Sequence, residues 1–175
     1  MTILTSGMLG PADTVEWATP QDLFDLLDRE FHFTLDVCAS EGLQKCAMYY
    51  TPEVNGLAQR WNGYTCFMNP PYGREIYYWV RKAALSDTVV VGLLPARTDT
   101  RWYKEWVEPY ASEVRFIKGR VRFGEKGPAP FPSLVAVWGT PRTPRYGYME
   151  YERTTVNDDR EEGHEEDDQR GEEGA

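Results

Sequence analysis

Hydrophobic and polar positions along the chain follow two periods, which predict helices and strands in alternation. Apolar residues recur at helical spacing over residues 20–31 and 75–85, and a third helix is predicted over 102–110. Short apolar runs typical of buried strands occur at 33–37, 47–50, 65–68, 88–94, 114–117, 120–123 and 134–138. Strands separated by helices predict a mostly parallel α/β sheet. The two late strands with no helix between them predict an antiparallel edge.

Polar residues stand where two of these strands end. Asp36 closes the first strand, and small residues follow it at Cys38, Ala39 and Ser40. Asn69 comes directly after the 65–68 run, which stops because two consecutive prolines cannot donate to a strand ladder. In sheets of this kind, ligands bind outside the carboxyl ends of the strands. Asp36 and Asn69 are therefore candidate site residues.

The first helix has a clear predicted start. Thr19 offers a hydroxyl for the N-cap, Pro20 suits the first helical position, and Asp22 lies three residues after the cap. Residues 1–15 before it are expected to form a flexible lead, and one domain is expected over 16–151.

Residues 152–175 form an acidic segment that we expect to be disordered. They hold 11 of the 28 acidic and 3 of the 19 basic residues, and almost nothing apolar. Without them the chain is nearly neutral. Its basic residues are unevenly distributed along the chain. Five of them lie within a dozen residues and form a basic stripe, namely Arg115, Lys118, Arg120, Arg122 and Lys126. Such a stripe can meet phosphate, and equally it can be a solvated strand edge protected by charge.

The three cysteines, Cys38, Cys46 and Cys66, contain no Cys-x-x-Cys pair. Their odd number, together with the lack of an apolar signal segment, predicts a reducing, cytoplasmic location with buried thiols. A zinc site from these residues and His32 lacks the ligand spacing of known zinc motifs. No apolar run is long enough to span a bilayer.

The tetrapeptide Asn69-Pro70-Pro71-Tyr72 is the motif with the most specific chemistry. It can be a simple proline turn. It also suits the methylation of an amine on a flat ring, a weak nucleophile because its lone pair is delocalised. The Asn69 side-chain oxygen and the Pro70 carbonyl can accept both amine hydrogens, which makes the nitrogen more nucleophilic. Tyr72 offers a ring face on which an extruded base can stack.

Beyond this motif, the chain resembles phage-type DNA N6-adenine methyltransferases of the Dam-like group. The resemblance extends from about Trp17 to Trp138 and is carried by five segments, Trp17-Ala18-Thr19-Pro20, Leu35-Asp36-Val37-Cys38-Ala39-Ser40, Asn69-Pro70-Pro71-Tyr72-Gly73-Arg74, Leu94-Pro95-Ala96-Arg97-Thr98-Asp99-Thr100 and Ala129-Pro130-Phe131-Pro132-Ser133. It implies a Rossmann-like sheet that binds S-adenosylmethionine, and a double-stranded DNA substrate, often modified at GATC.

The resemblance also implies residue roles. The cofactor pocket is expected to be lined by Thr19, Pro20, Asp36, Cys38, Ala39 and Ser40, and the catalytic motif by Asn69, Pro70, Pro71 and Tyr72. The chain departs from the pattern in two places. Residues 36–40 lack the glycine pair usual in larger methyltransferases, and Asn55 stands before Gly56 where an acid is expected. Glu53 is then the candidate for the ribose-binding carboxylate.

Residues near the proposed pocket are candidates for DNA contacts. They are Arg74, Arg97, Thr98, Asp99, Arg101 and Phe131, with Arg120 and Arg122 from the basic stripe. For Thr98 and Asp99, helix capping is an equal alternative, and Phe131 can simply plug the core.

Two other functions remain open from the sequence. A methyltransferase with the same motif can act on RNA or on a protein glutamine, because an amide nitrogen poses the same problem of nucleophilicity. Alternatively, the chain is a non-catalytic binder whose acidic segment imitates nucleic acid. The intact tetrapeptide argues against the second.

Overall fold

A computed structural model describes residues 17–124, 127–141 and 145–151. The expected lead at 1–15 and the expected acidic tail at 152–175 lie outside these residues. The elements in chain order are α1 Gln21–Phe31, β1 Leu35–Asp36, β2 Met48–Tyr49, β3 Cys66–Met68, α2 Ile76–Leu85, β4 Val90–Pro95, a π-helical segment Tyr103–Val107, β5 Glu113–Ile117, β6 Ser133–Trp138 and β7 Arg145–Met149.

The strands form one seven-stranded sheet in the order β2-β1-β3-β4-β6-β5-β7. β1 pairs in parallel with β2 on one side and with β3 on the other. The chain therefore crosses from β1 to β2 and then reverses direction across the sheet to reach β3. This reversal creates a topological switch point between β1 and β3, where open α/β sheets bind ligands. β6 pairs antiparallel with β4 and with β5. The structure thus confirms the mostly parallel sheet with antiparallel pairing towards one side.

Helices cover both faces of the sheet. On one face, α1 packs its buried Leu23, Phe24 and Leu27 against sheet residues that include Phe67 and Val91. On the other face, α2 and the π-helical segment pack against the opposite side chains of the same strands. β4 and β6 are buried at every position because they lie in the middle of the sheet with both faces covered. No helix in the described residues is long and apolar enough to cross a membrane.

The start of α1 corrects one prediction. Pro20, not Thr19, occupies the N-cap position, and no side chain caps the helix there. The Thr19 hydroxyl instead accepts a hydrogen bond from Asn69 Nδ2 at 2.9 Å. A side-chain oxygen that is engaged 50 residues away along the chain does not cap the helix next to it.

Three other elements differ from the predictions. The strand predicted at 120–123 is reduced to an isolated bridge between Arg122 and Pro128, because proline has no amide hydrogen to extend a ladder. The predicted third helix is largely π-helical at Tyr103–Val107. β7 was not predicted at all, and it lies at the sheet edge with Tyr146 and Tyr148 exposed.

Candidate active site

A cavity of about 480 Å³ opens at the switch point between β1 and β3. It is large enough for a cofactor of nucleoside size. Its walls come from the segment before α1, the ends of β1 and β3, the loops that follow β1 and β2, and the start of α2. The lining residues include Trp17, Thr19, Asp36, Cys38, Ala39, Ser40, Lys45, Tyr50, Asn55, Gly56, Leu57, Asn69, Pro70, Pro71 and Trp79.

Asn69 is held with its side-chain amide in one orientation. Its Nδ2 donates to the Trp17 carbonyl at 2.6 Å and to the Thr19 hydroxyl at 2.9 Å. Turning the amide over would place its oxygen against the Trp17 carbonyl, an acceptor facing an acceptor. Asn69 Oδ1 is buried and has no hydrogen-bond partner among the described residues. The motif therefore presents a fixed, unsatisfied acceptor at the cavity, and the neighbouring Pro70 carbonyl is also unused by any hydrogen bond in the described part of the chain.

Tyr72 lies beside the cavity, not in its lining, and belongs to an aromatic cluster formed by Trp17, Tyr72, Phe123 and Phe131. Its ring meets the rings of Phe131 and Phe123 edge-to-face, at centroid distances of 5.5 and 6.2 Å. The hydroxyl donates to the Leu93 carbonyl at 3.1 Å, and burial raises the pKa of Tyr72 well above its usual value. The ring is thus anchored at its polar end.

Asp36 organises the loop after β1. One carboxylate oxygen accepts the backbone N–H of Cys38 at 3.3 Å, and the other accepts that of Lys45 at 3.1 Å. Both contacted residues line the cavity. Burial raises the pKa of Asp36 to about 6, although the two backbone hydrogen bonds and the charge of Lys45 oppose this. Asp36 thus shapes the cavity wall as well as lining it.

A further part of the cavity wall comes from residues within 50–57. Asn55 lines the cavity in a left-handed conformation with φ of 55°. The next residue, Gly56, has to be a glycine, because a Cβ there would collide with the carbonyl oxygen of Val37 at the end of β1. Glu53 is exposed and does not line the cavity. Asn55, at the position where the resemblance calls for an acid, therefore lines the cavity.

The cysteines occupy different environments and are all free thiols. Burial raises the pKa of the Cys38 thiol well above its usual value, and it raises that of Cys46 and of Cys66 to about 12. The thiol is thus the favoured form of each. Cys66 is buried, whereas Cys38 and Cys46 are half-buried. The described residues contain no group of three side chains suited to hold a metal ion.

The residues proposed for DNA contacts differ in whether other side chains already engage them. Arg74, two residues after Tyr72, and three residues that follow β4, Arg97, Thr98 and Asp99, are exposed. Arg97 lies over the Phe131 ring at 5.8 Å, so it joins the aromatic cluster to the surface. Arg101 instead pairs with Glu105 at 2.7 Å and lies over the Tyr77 ring. Phe131 packs edge-to-face against Trp17 and Tyr72, inside the cluster.

The basic stripe is divided by ion pairs. Arg115 binds Glu30 at 2.6 Å and Glu113 at 2.9 Å, and Lys118 pairs with Glu150. Arg120 and Arg122 are exposed and form no ion pair with the described residues. Lys126 lies outside the described residues. Of the five bases, Arg115 is thus committed to the fold, and Arg120 and Arg122 remain available for phosphate.

Several cavity residues were missed by the sequence analysis. Lys45, Tyr50 and Leu57 belong to loops whose path the sequence does not reveal, and no signal in the sequence identifies them. Trp79 lies on the apolar face of the helix predicted over 75–85, and that pattern indicates only packing. It stacks on Trp61 at 6.2 Å, but it also lines the cavity, and its Nε1 is buried without a partner in the described part of the chain.

The sheet order, with a cavity and an Asn-Pro-Pro-Tyr motif at its switch point, places the protein among the Rossmann-like methyltransferases. Comparison with known families identifies the family within this class. A profile of the family described as DNA N-6-adenine-methyltransferase (Dam) matches residues 10–152, and the chain belongs to that family.

Two known proteins are similar to the chain. The chain is 29% identical over 171 residues to the DNA N-6-adenine-methyltransferase of Haemophilus phage HP1 (strain HP1c1), covering 92% of this chain and 98% of the relative. It is also 38% identical over 64 residues to YfdM of Escherichia coli (strain K12), covering 33% of this chain and 70% of the relative.

Proposed function

We propose that the protein transfers the methyl group of S-adenosylmethionine to the exocyclic N6 amine of adenine in double-stranded DNA. The observation that carries this proposal is the buried, unpartnered Oδ1 of Asn69. A buried acceptor without a partner costs free energy, on the order of 1–3 kcal/mol. A substrate amine that supplies the missing hydrogen would recover this cost inside the site.

The residues of the motif activate the amine by position. Asn69 Oδ1 accepts one amine hydrogen and the Pro70 carbonyl accepts the other, which holds the nitrogen lone pair out of conjugation with the ring. The hydrogen bonds from Asn69 Nδ2 to Trp17 and Thr19 keep the acceptor in place before the substrate arrives. The cofactor supplies an electrophilic sulfonium methyl group when bound.

The cavity suits S-adenosylmethionine by its volume and its mixture of groups. Its apolar lining includes the ring of Trp79, and Asp36 and Asn55 add polar atoms. The unpartnered Nε1 of the buried Trp79 is a further donor for a ligand on this wall. Thr19, Ala39 and Ser40 also line the cavity, and the Thr19 hydroxyl contacts Asn69.

Tyr72 and Phe131 are the proposed walls for an extruded adenine, and the exposed Arg74, Arg97, Arg120 and Arg122 are the proposed phosphate contacts. GATC is the proposed target sequence. The deciding experiment offers duplex DNA with and without GATC, single-stranded DNA, RNA and protein to the protein with labelled S-adenosylmethionine. Label in GATC duplex alone supports the whole proposal. Label in RNA or protein alone contradicts the DNA substrate, and label in none contradicts methyl transfer.

Asp36→Ala is expected to weaken S-adenosylmethionine binding by about 10-fold or more without unfolding the protein. The carboxylate holds the backbone of Cys38 and Lys45 in the cavity wall, and a hydrogen bond to a charged group contributes about 1.5–3 kcal/mol. Calorimetry measures the affinity, and circular dichroism checks the fold. The exposed Asp25→Ala on α1 is the control. Equal affinity in Asp36→Ala and wild type would place the cofactor elsewhere.

Cofactor affinity is also expected to fall as pH decreases through about 6, the pKa to which burial raises Asp36. A protonated carboxyl loses one acceptor for the two backbone N–H groups. Because this pKa lies above the usual 3.8, the folded state holds the proton more tightly than the unfolded chain does. The Asp36 contribution to stability therefore rises as pH falls from about 6 to 4, so unfolding driven by this group does not explain the loss. An affinity independent of pH in this range would refute the assignment.

Deletion of residues 152–175 is expected to leave turnover intact and to tighten DNA binding at low salt. The segment holds 11 acidic and 3 basic residues, which repel phosphate and compete for Arg120 and Arg122. The cut preserves Tyr151, whose hydroxyl donates to Asp22 on α1. Binding to a fluorescent duplex, measured over a range of salt concentrations, tests this. A truncated protein that fails to fold would contradict the expected disorder of the segment.

A further inference from the structure

Lys82 of α2 binds a single turn of the loop between β2 and β3. Its ammonium donates to the carbonyls of Gly56, Leu57 and Gln59 at 3.1, 2.7 and 2.5 Å. The ammonium also lies over the Trp61 ring at 4.6 Å from the centroid. An ammonium group has three hydrogens, so these three carbonyls use its full capacity. Lys82 is half-buried, and burial lowers its pKa.

The turn that Lys82 holds is a wall of the cavity. Gly56 and Leu57 both line the cavity and both give their carbonyls to Lys82. Gly56 packs so closely on the Val37 carbonyl that a Cβ has no room. Its own carbonyl also accepts a hydrogen bond from Trp61 Nε1 at 3.0 Å. A displacement of this turn would therefore move the cavity wall beside Asn55 and the end of β1.

We infer that Lys82 is a positioning residue that fixes the 55–59 turn as the cofactor-binding wall and so sets the affinity for S-adenosylmethionine. This rests on the proposed function of the cavity. α2 begins four residues after Tyr72, and its Trp79 also lines the cavity and stacks on Trp61. One helix thus connects the catalytic motif to the cofactor wall, through Trp79 and Lys82.

The charged ammonium of Lys82 interacts with backbone carbonyls and not with a carboxylate. None of the ion pairs in the described residues involves Lys82. Methionine has a similar length and no donor, so Lys82→Met removes the three hydrogen bonds and keeps much of the packing. Arg81→Met is the matched control, since Arg81 is the neighbouring cation on α2, is exposed, and contacts the ring of Trp106 instead.

Two measurements test the inference. First, Lys82→Met is expected to raise the KM for S-adenosylmethionine by about 10-fold, while kcat stays within about twofold of wild type, because the catalytic motif is untouched. Second, brief trypsin treatment is expected to cut faster after Arg60, an exposed residue directly after the held turn, and saturating S-adenosylmethionine is expected to slow that cut. Arg81→Met is expected to match wild type in both.

The outcomes separate this inference from the proposed function. If wild type does not bind S-adenosylmethionine, the proposed function fails, and the inference fails with it. If wild type binds the cofactor but Lys82→Met shows the same KM, or the same cleavage after Arg60, only the role of Lys82 is refuted. A fall in kcat with an unchanged KM would also refute it, because the effect would then lie in the catalytic step. A variant too unstable for kinetics is still read by cleavage after Arg60, compared with cleavage at other exposed sites.

Discussion

Asn69→Ala is expected to lower methyl transfer to adenine by about a hundredfold or more, while cofactor and DNA binding largely survive. The substitution removes the acceptor Oδ1, which is needed most as charge develops on the attacking nitrogen. Loss of one preorganised polar contact in an active site typically costs about 10²–10³ in kcat. Single-turnover kinetics with labelled cofactor measure the chemical step separately from binding.

Asn62→Ala is the matched control for this experiment, because Asn62 is exposed and lies outside the cavity lining. It is expected to have wild-type kinetics. Asn69→Asp is informative as well, since it keeps an acceptor but places an oxygen where Nδ2 now meets the Trp17 carbonyl at 2.6 Å. We expect it to fall between wild type and Asn69→Ala. Normal turnover by Asn69→Ala would remove Asn69 from the catalytic role.

Tyr72→Ala is expected to lower methylation by about 10- to 100-fold, whereas Tyr72→Phe retains much of the activity. Stacking of a base on an aromatic ring contributes roughly 1–3 kcal/mol, and phenylalanine keeps the ring face. The hydroxyl has a different task, because it donates to the Leu93 carbonyl. Tyr72→Phe is therefore expected to lose about 1 kcal/mol of stability, which a denaturant titration measures.

The exposed Tyr78→Ala, on α2, controls for the loss of a tyrosine near the motif. Stacking as the role of Tyr72 would be wrong if Tyr72→Phe were as inactive as Tyr72→Ala under conditions in which both are folded. Activity lost in Tyr72→Phe would instead point to the anchored hydroxyl.

The positions of Asp36 and Asn69 could be predicted from the sequence because the signals are local. An apolar run that ends at a polar residue or at two prolines marks the end of a buried strand, and the ends of adjacent parallel strands meet at one edge. The structure places both residues in the lining of one cavity at the β1–β3 switch point. The mostly parallel sheet was predictable for the same reason.

What the sequence could not reveal depends on distant partners. The Thr19 hydroxyl was assigned to the helix start, since Asn69, its actual donor, lies 50 residues away. Arg115 looked like a candidate for phosphate binding, but Glu30, 85 residues earlier in the chain, forms a bidentate pair with it. No periodicity marks Lys82 as a donor to three carbonyls of a loop more than 20 residues before it. Such contacts follow from the packing of whole elements.

The elements themselves were misjudged where a local pattern is ambiguous. The apolar spacing over 102–110 fits an α-helix, yet the Glu108 amide bonds to the Tyr103 carbonyl, five residues back, as in a π-helix. β7 carries exposed tyrosines and a glycine, which resemble a loop, and it exists because β5 offers an unpaired edge. In both cases the tertiary structure decides between conformations that the sequence permits.

The most direct test of the central claim is the identity of the nucleoside that receives the methyl group. A GATC-containing duplex is incubated with S-adenosylmethionine and either wild type or Asn69→Ala, digested to nucleosides, and analysed by mass spectrometry. The proposed function predicts N6-methyldeoxyadenosine in the wild-type reaction and about a hundredth of that yield, or less, with Asn69→Ala. A methyl group on another base, or equal yields from the two proteins, would contradict it.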